Sequence, residues 1–162
     1  MKVVNCTIAG NTATKNGGGL RLEVDYFETA DPYSGGPWIV NTIVANNTAP
    51  SGADISFNKA ESKSYTGYNC LCPTLTGDAA YGTNPQTASP LFVKPDAGDF
   101  HLQPGSPARN NGDKDKAAMV LGGELESMLD LDGNRRLVEN EVDIGCFEFD
   151  PYVLSCSIVM DK

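Results

Sequence analysis

An all-β solenoid is the fold class that this sequence predicts, on three observations: an internal repeat, short β-branched runs, and turn residues at the joints between them. The stretch from Asn5 to Ala13 reads NCTIAGNTA, and the stretch from Asn41 to Ala49 reads NTIVANNTA. Set one under the other at a spacing of 36, Asn, Ala, Asn, Thr and Ala coincide, with Ile8 facing Val44 and Asn11 facing Asn47. Each copy is followed by small residues and an aliphatic, Gly17-Gly18-Gly19-Leu20 and Ser51-Gly52-Ala53-Asp54-Ile55, and Tyr68-Asn69-Cys70-Leu71 is a weaker third echo. A unit of strand, Asn turn, Gly turn and strand cannot bury its apolar face alone and does so by stacking on its neighbour.

The strands follow from local chemistry. Val3 to Ile8 and Ile39 to Val44 are rich in β-branched residues and are bounded by Asn and Gly, which favours strand over helix. Alternation with period two places Val4, Cys6 and Ile8 on one face, with Val40, Thr42 and Val44 on its equivalent. These are the expected inward sets, and Asn5, Thr7, Asn41 and Ile43 are expected outward. Asn11 and Asn47 fall where the chain must turn. Asn tolerates the left-handed region and bonds neighbouring backbone, so the two are expected to stack as a ladder of structural turn residues.

Ile8-x-x-Asn11 and Val44-x-x-Asn47, each followed by its Gly-rich turn and aliphatic, resemble the paired FxxN and GGA[ILV] repeats of polymorphic outer membrane proteins, with an aliphatic in place of Phe. The second half extends the likeness through Ser89-Pro90-Leu91-Phe92-Val93, Gly98 to Ala108, Asp130-Leu131-Asp132-Gly133-Asn134-Arg135 and Val142 to Glu148. That order is similar to the closing segment of secreted bacterial proteins of the choice-of-anchor Q type. The resemblance implies a right-handed parallel β-helix with an irregular C-terminal closing region, in an exported or cell-surface bacterial protein. It divides the chain into coils over 1–95 with an inserted loop at 23–38 and a closing region over 96–149. The tail over 150–162, rich in uncharged strand formers, reads as a last strand, a linker stub or an interface, with the strand preferred.

Composition narrows the partners. The 162 residues suit one domain, and 40% hydrophobic with 20% charged residues is ordinary for a globular protein. A net charge of −9 and a pI near 4.4 argue against nucleic acid and against anionic lipid, both of which need a basic surface. No apolar run is long enough to cross a bilayer. Met1-Lys2-Val3-Val4 runs into a repeat strand without a signal peptide, so further coils and an export signal are expected upstream. An open first coil exposes a strand edge, which extra chain or self-association would cover.

Five cysteines, Cys6, Cys70, Cys72, Cys146 and Cys156, leave at least one unpaired, and a ladder of buried thiols is the preferred reading. Cys70-Leu71-Cys72 is too tight for paired metal ligands. Asp130-x-Asp132-Gly133-Asn134 superficially suggests calcium, but lacks the distal ligands of an EF-hand and reads as an Asp-Gly turn. No cofactor is expected. Lys114 to Leu131 is the helical candidate, broken into two short pieces by Gly122-Gly123, and Val142 to Phe149 is expected to be an alternating strand.

The inserted loop carries the binding candidates. Tyr26, Phe27, Tyr33 and Trp38, with Arg21 and Glu23 at the loop's entry, compose a surface suited to stacking on sugars and pairing with their polar groups. The competing reading packs them against the side of the scaffold, with Trp38 opening the next strand. No catalytic residue is nominated: the outward coil positions offer no base, the acidic residues offer no selected pair for glycoside hydrolysis, and His101, the only histidine, has no nucleophile motif and reads as structural. The function expected is therefore a non-catalytic structural or binding segment contacting polysaccharide or a cell-surface glycan. The alternative is the C-terminal part of a pectate-lyase-like polysaccharide lyase or glycoside hydrolase whose catalytic coils lie upstream.

Overall fold

The computed structural model describes residues 1–24, 38–59, 66–76, 87–123 and 125–151. Its strands are β1 (Lys2–Val4), β2 (Thr7–Ala9), β3 (Leu20–Val24), β4 (Trp38–Val40), β5 (Ile43–Ala45), β6 (Ile55–Lys59), β7 (Thr66–Tyr68), β8 (Leu75–Thr76), β9 (Phe92–Lys94) and β10 (Asp99–Leu102). One α-helix, α1 (Lys114–Leu121), and 3-10 turns at Pro95–Ala97 and Leu125–Ser127 complete the described elements.

The repeat is realised as parallel pairing. Thr7, Ile8 and Ala9 lie opposite Ile43, Val44 and Ala45, and Lys2, Val3 and Val4 lie opposite Trp38, Ile39 and Val40. The third echo joins the same ladders, with Trp38 opposite Thr66 and Ile43 bridged to Leu71. Each short run ends at an Asn in the left-handed region: Asn5 at φ 51, Asn41 at φ 48 and Asn69 at φ 45. Asn accepts that conformation more readily than a β-branched residue would.

The right-handed parallel β-helix expected from the sequence is overturned. The strands are two to five residues long and belong to four separate sheets, in the orders β1-β4-β7, β2-β5, β3-β6-β8 and β10-β9. Among the described residues no sheet continues as a solenoid and none closes on itself. The physical reason lies in the corners and in the segments beyond the third repeat. A left-handed Asn interrupts the backbone after each of the short strands β1, β4 and β7. The chain then changes to the antiparallel pair β9/β10, a helix and irregular segments. The fold is an assembly of small sheets of short strands with little helix.

The inward and outward assignment also changes. Ile43 and Asn41, placed outward by alternation, are fully buried, as are Val40, Thr42 and Val44. Three apolar clusters explain this. Val44 packs with Leu22, Ile39, Ile55, Phe57, Cys70 and Cys72. Ile43 and Ala45 pack with Leu71, Phe92, Leu102, Ala108 and Ile144. Trp38 and Val40 pack with Ala117, Val120 and Leu125. The C-terminal half thus lies over the second repeat and buries the side that alternation had assigned to solvent.

Helix α1 has the limits its sequence sets. The Asp113 side chain accepts the Lys116 amide at 2.8 Å as N-cap, and Gly122 closes the helix in the left-handed region. The second piece is the 3-10 turn Leu125–Ser127. The expected strand at 142–149 is absent: Ile144 and Gly145 donate instead to Ala108 and to Asn41, and Gly145 sits at φ 116, which no regular strand accommodates. Residues 152–162, where a last strand was expected, lie outside the described residues.

Candidate functional site

Of the six binding candidates, Arg21 and Glu23 fall on β3 and Trp38 on β4. Arg21 is exposed on β3, in register with Ser56, and Glu23 is in register with Asn58. Trp38 is only 8% exposed and packs beneath α1, so it is removed from any sugar-stacking surface. Tyr26, Phe27 and Tyr33 lie outside the described residues.

The turn asparagines form two ladders. Asn41 Nδ2 donates to Asn5 Oδ1 at 3.1 Å and to the Asp113 carbonyl at 3.2 Å, and its Oδ1 accepts the Asp113 amide at 2.7 Å. Across the scaffold, Asn47 Oδ1 accepts from the Asn11 amide at 3.0 Å and from Asn11 Nδ2 at 3.1 Å. Asn47 in turn donates through both its amide and its Nδ2 to Asp54 Oδ1. Asp54 Oδ2 accepts the Thr74 amide at 3.0 Å and the Thr74 hydroxyl, which continues the ladder to the third repeat. The left-handed corners fall on Asn5, Asn41 and Asn46 rather than on Asn11 and Asn47.

A second network centres on Arg136, 5% exposed. Its Nη1 donates to the Gly145 carbonyl at 2.8 Å and to Glu148 Oε1 at 2.9 Å, and its Nη2 to the Asn5 carbonyl at 3.2 Å and the Cys146 carbonyl at 2.8 Å. Glu148 Oε2 accepts the Asp143 amide, and Asp143 accepts the amides of Asn110 and Phe149. Burial, and then the Asp143 charge, push the Glu148 carboxyl up to about 8 against the downward pull of the Asp143 amide and of Arg136. Burial also raises Asp143, against the amides of Asn110 and Phe149.

The third cluster surrounds His101. Its Nδ1 lies 2.6 Å from Asp99 Oδ1 and its Nε2 2.7 Å from Asp132 Oδ2, while the ring stacks on Phe147 with centroids 4.0 Å apart. Hydrogen bonding to Asp132, and then to Asp99, raises the imidazole above its ordinary value against the opposing effect of partial burial. The His101 side chain, and then its amide, lower Asp99. Both ring nitrogens face carboxylates, so the favoured species is an imidazolium donating twice, with no lone pair left for a proton from substrate. The cluster joins β10 to the 130–134 turn.

Within that turn, Asp130 Oδ1 accepts the amides of Asp132 and Asn134, and Oδ2 accepts that of Glu148. Its oxygens are committed to backbone N–H groups, a poor donor set for calcium. Among the described residues, no group of three or more His, Cys, Asp or Glu could hold a metal ion. Cys6, Cys70, Cys72 and Cys146 are free thiols, and Cys156 lies outside the described residues. Burial, followed by the charges of Asp54 and Cys70, pushes Cys72 up to about 12, an inert thiol at neutral pH.

Sequence reasoning did not find Arg136, Glu148 or the partnership of Asp99 and Asp132 with His101. Arg136 follows Arg135 with nothing local to distinguish a buried guanidinium from an exposed one. The available signal was the spacing Asp99-x-His101, which puts a carboxylate within reach of the ring on one strand. Comparison of the chain with protein-family models, with curated proteins and with solved structures gives no match.

Proposed function

We propose that the chain is a non-catalytic structural and glycan-contacting segment of an exported or cell-surface protein. The observation that carries this reading is the use made of the buried acids. Asp54, Asp130, Asp143 and Glu148, the buried carboxylic residues among those described, each accept backbone amides. A glycosidase needs two carboxyl groups facing a sugar and free to exchange protons with it. Here the buried carboxylates hold corners and segments in place, and His101 is held between Asp99 and Asp132. The acidic net charge favours neutral or basic glycans over polyuronates, which it would repel.

The glycan contact is assigned to the exposed Arg21 on β3 and to the segment that comes after that strand, where Tyr26, Phe27 and Tyr33 add stacking groups by sequence. A glycan array, run with an assay for unsaturated or reducing-end products over neutral and acidic polysaccharides, tests the proposal. Binding without turnover is the expected outcome, weakened about tenfold by Arg21→Ala or Tyr26→Ala, equivalent to about 1.4 kcal/mol. Turnover of any polysaccharide would overturn the non-catalytic reading, and absence of binding across the array would overturn the glycan contact.

A further inference from the structure

Cys6 and Cys146 come from opposite ends of the described chain and meet at one place. The Cys146 amide donates to Thr7 Oγ1 at 3.1 Å, across 139 residues of sequence, so the residue after Cys6 touches Cys146 directly. One nitrogen of Arg136 holds the carbonyl of Asn5, the residue before Cys6, together with the carbonyl of Cys146 itself. The two backbones are therefore pinned on both sides of the thiols by three hydrogen bonds. Both cysteines are free and half-buried, unlike Cys70 and Cys72, which are 1% and 3% exposed.

We propose that Cys6 and Cys146 are a disulfide-forming pair that covalently closes the first repeat onto the C-terminal segment. The oxidant is a small disulfide or a disulfide-exchange protein. One thiolate attacks the oxidant's sulfur, which forms a mixed disulfide and expels one oxidant thiolate. The second protein thiolate attacks the protein sulfur of that mixed disulfide, forms the Sγ–Sγ bond and expels the other. The protein loses two electrons, the oxidant gains them, and the two thiol protons end on the two released thiolates.

The surroundings suit this exchange. Burial pushes the Cys146 thiol up, but the Thr7 hydroxyl and the Arg136 charge pull it back, and the Cys6 sulfur is near enough for its charge to act on it. The Cys6 thiol donates to the Val4 carbonyl at 3.1 Å, a weak bond that is readily given up. A crosslink over so long a loop restricts the unfolded chain strongly, so oxidation should raise the melting temperature. The inference stands on the geometry of this junction and does not depend on the glycan reading.

The test is to treat the folded full chain with oxidised glutathione, block remaining thiols with iodoacetamide and map peptides by mass spectrometry without reduction. The expected result is one crosslinked peptide pair containing Cys6 and Cys146, two hydrogens lighter than the separate peptides. Oxidation should raise the melting temperature by about 10 °C. A Cys156→Ser chain should behave identically, and Cys146→Ser should abolish the rise. Glutathione left on either thiol as a stable mixed disulfide, a pairing with Cys156, or full alkylation of Cys6 and Cys146 after oxidation would each overturn the proposal. Because mapping is done on the unsubstituted chain, a folding defect in the serine variants leaves that decision intact.

Discussion

At the scale of the single residue, Asn41 does two separable things. Its backbone turns in the left-handed region at φ 48, and its fully buried side chain makes three hydrogen bonds, to Asn5 and to both backbone groups of Asp113. Glycine can supply the turn but not the bonds. Asn41→Gly is therefore expected to destabilise the chain by about 2 kcal/mol, through the buried partners left unpaired. Asn41→Ala should cost about 1 kcal/mol more, because alanine adds the left-handed penalty. Urea unfolding of both variants measures the two contributions. Equal stabilities for the two variants would show that the turn carries none of the cost. Stabilities matching the unsubstituted chain would remove the ladder from the account.

At the scale of the element, the contacts that set the spacing between repeats are steric as well as polar. A Cβ on Gly19 would stand 2.6 Å from Val44 Cγ1 and 2.7 Å from both Asn47 Nδ2 and the Asp54 carbonyl, inside the packing between β3 and its neighbours. Gly19→Ala is expected to cost about 2 kcal/mol by overpacking. Gly105→Ala, where a Cβ meets nothing within 4 Å, should be neutral within about 0.5 kcal/mol. Chemical denaturation of the pair checks the contrast. The repeat was legible in sequence because it rests on local chemistry, with β-branched runs for strands and Asn or Gly for corners. The burial of Ile43 was not legible, since its cover is Phe92, Leu102, Ala108 and Ile144 from the far half of the chain, and alternation describes only one strand. Residues 142–149 misled for the same reason. Their alternation resembles a strand, but Asp143 and Glu148 commit their side chains to backbone amides while Gly145 bends the chain against Thr7 and Ile43.

At the scale of the whole molecule, the two halves are joined through buried and half-buried charges. Arg136 reaches the Asn5 carbonyl from the C-terminal segment, and Arg136→Met would leave Glu148 buried beside Asp143 without its cation. A loss of about 3 kcal/mol is expected, because the buried carbonyls of Asn5, Gly145 and Cys146 and the Glu148 carboxyl lose their donor, with a smaller loss in the Arg136→Met, Glu148→Met double variant, where no carboxyl is left beside Asp143 without that donor. Denaturation of the single and double variants measures the difference. The same network dictates how stability changes with pH. Glu148 has its folded value raised from 4.5 to about 8, so its folded form binds a proton that the unfolded chain has already released at neutral pH. Its contribution is fully present below the unfolded value and is lost as pH rises from about 4.5 through about 8. His101 is raised above 6.5, so the bridge between Asp99 and Asp132 contributes below that pH and is lost as pH rises through the folded value. Both act in one direction, and the melting temperature is expected to fall as pH rises from about 4.5 to about 8, the Glu148 window, with His101 adding to the fall above 6.5. Glu148→Gln should flatten the fall up to about pH 8, and His101→Gln should remove the part above 6.5, whatever either substitution does to the absolute melting temperature. A melting temperature that stays flat across this window would mean that Arg136 and the surrounding amides keep Glu148 ionised in the folded chain, and that solvent screens His101 from its two carboxylates.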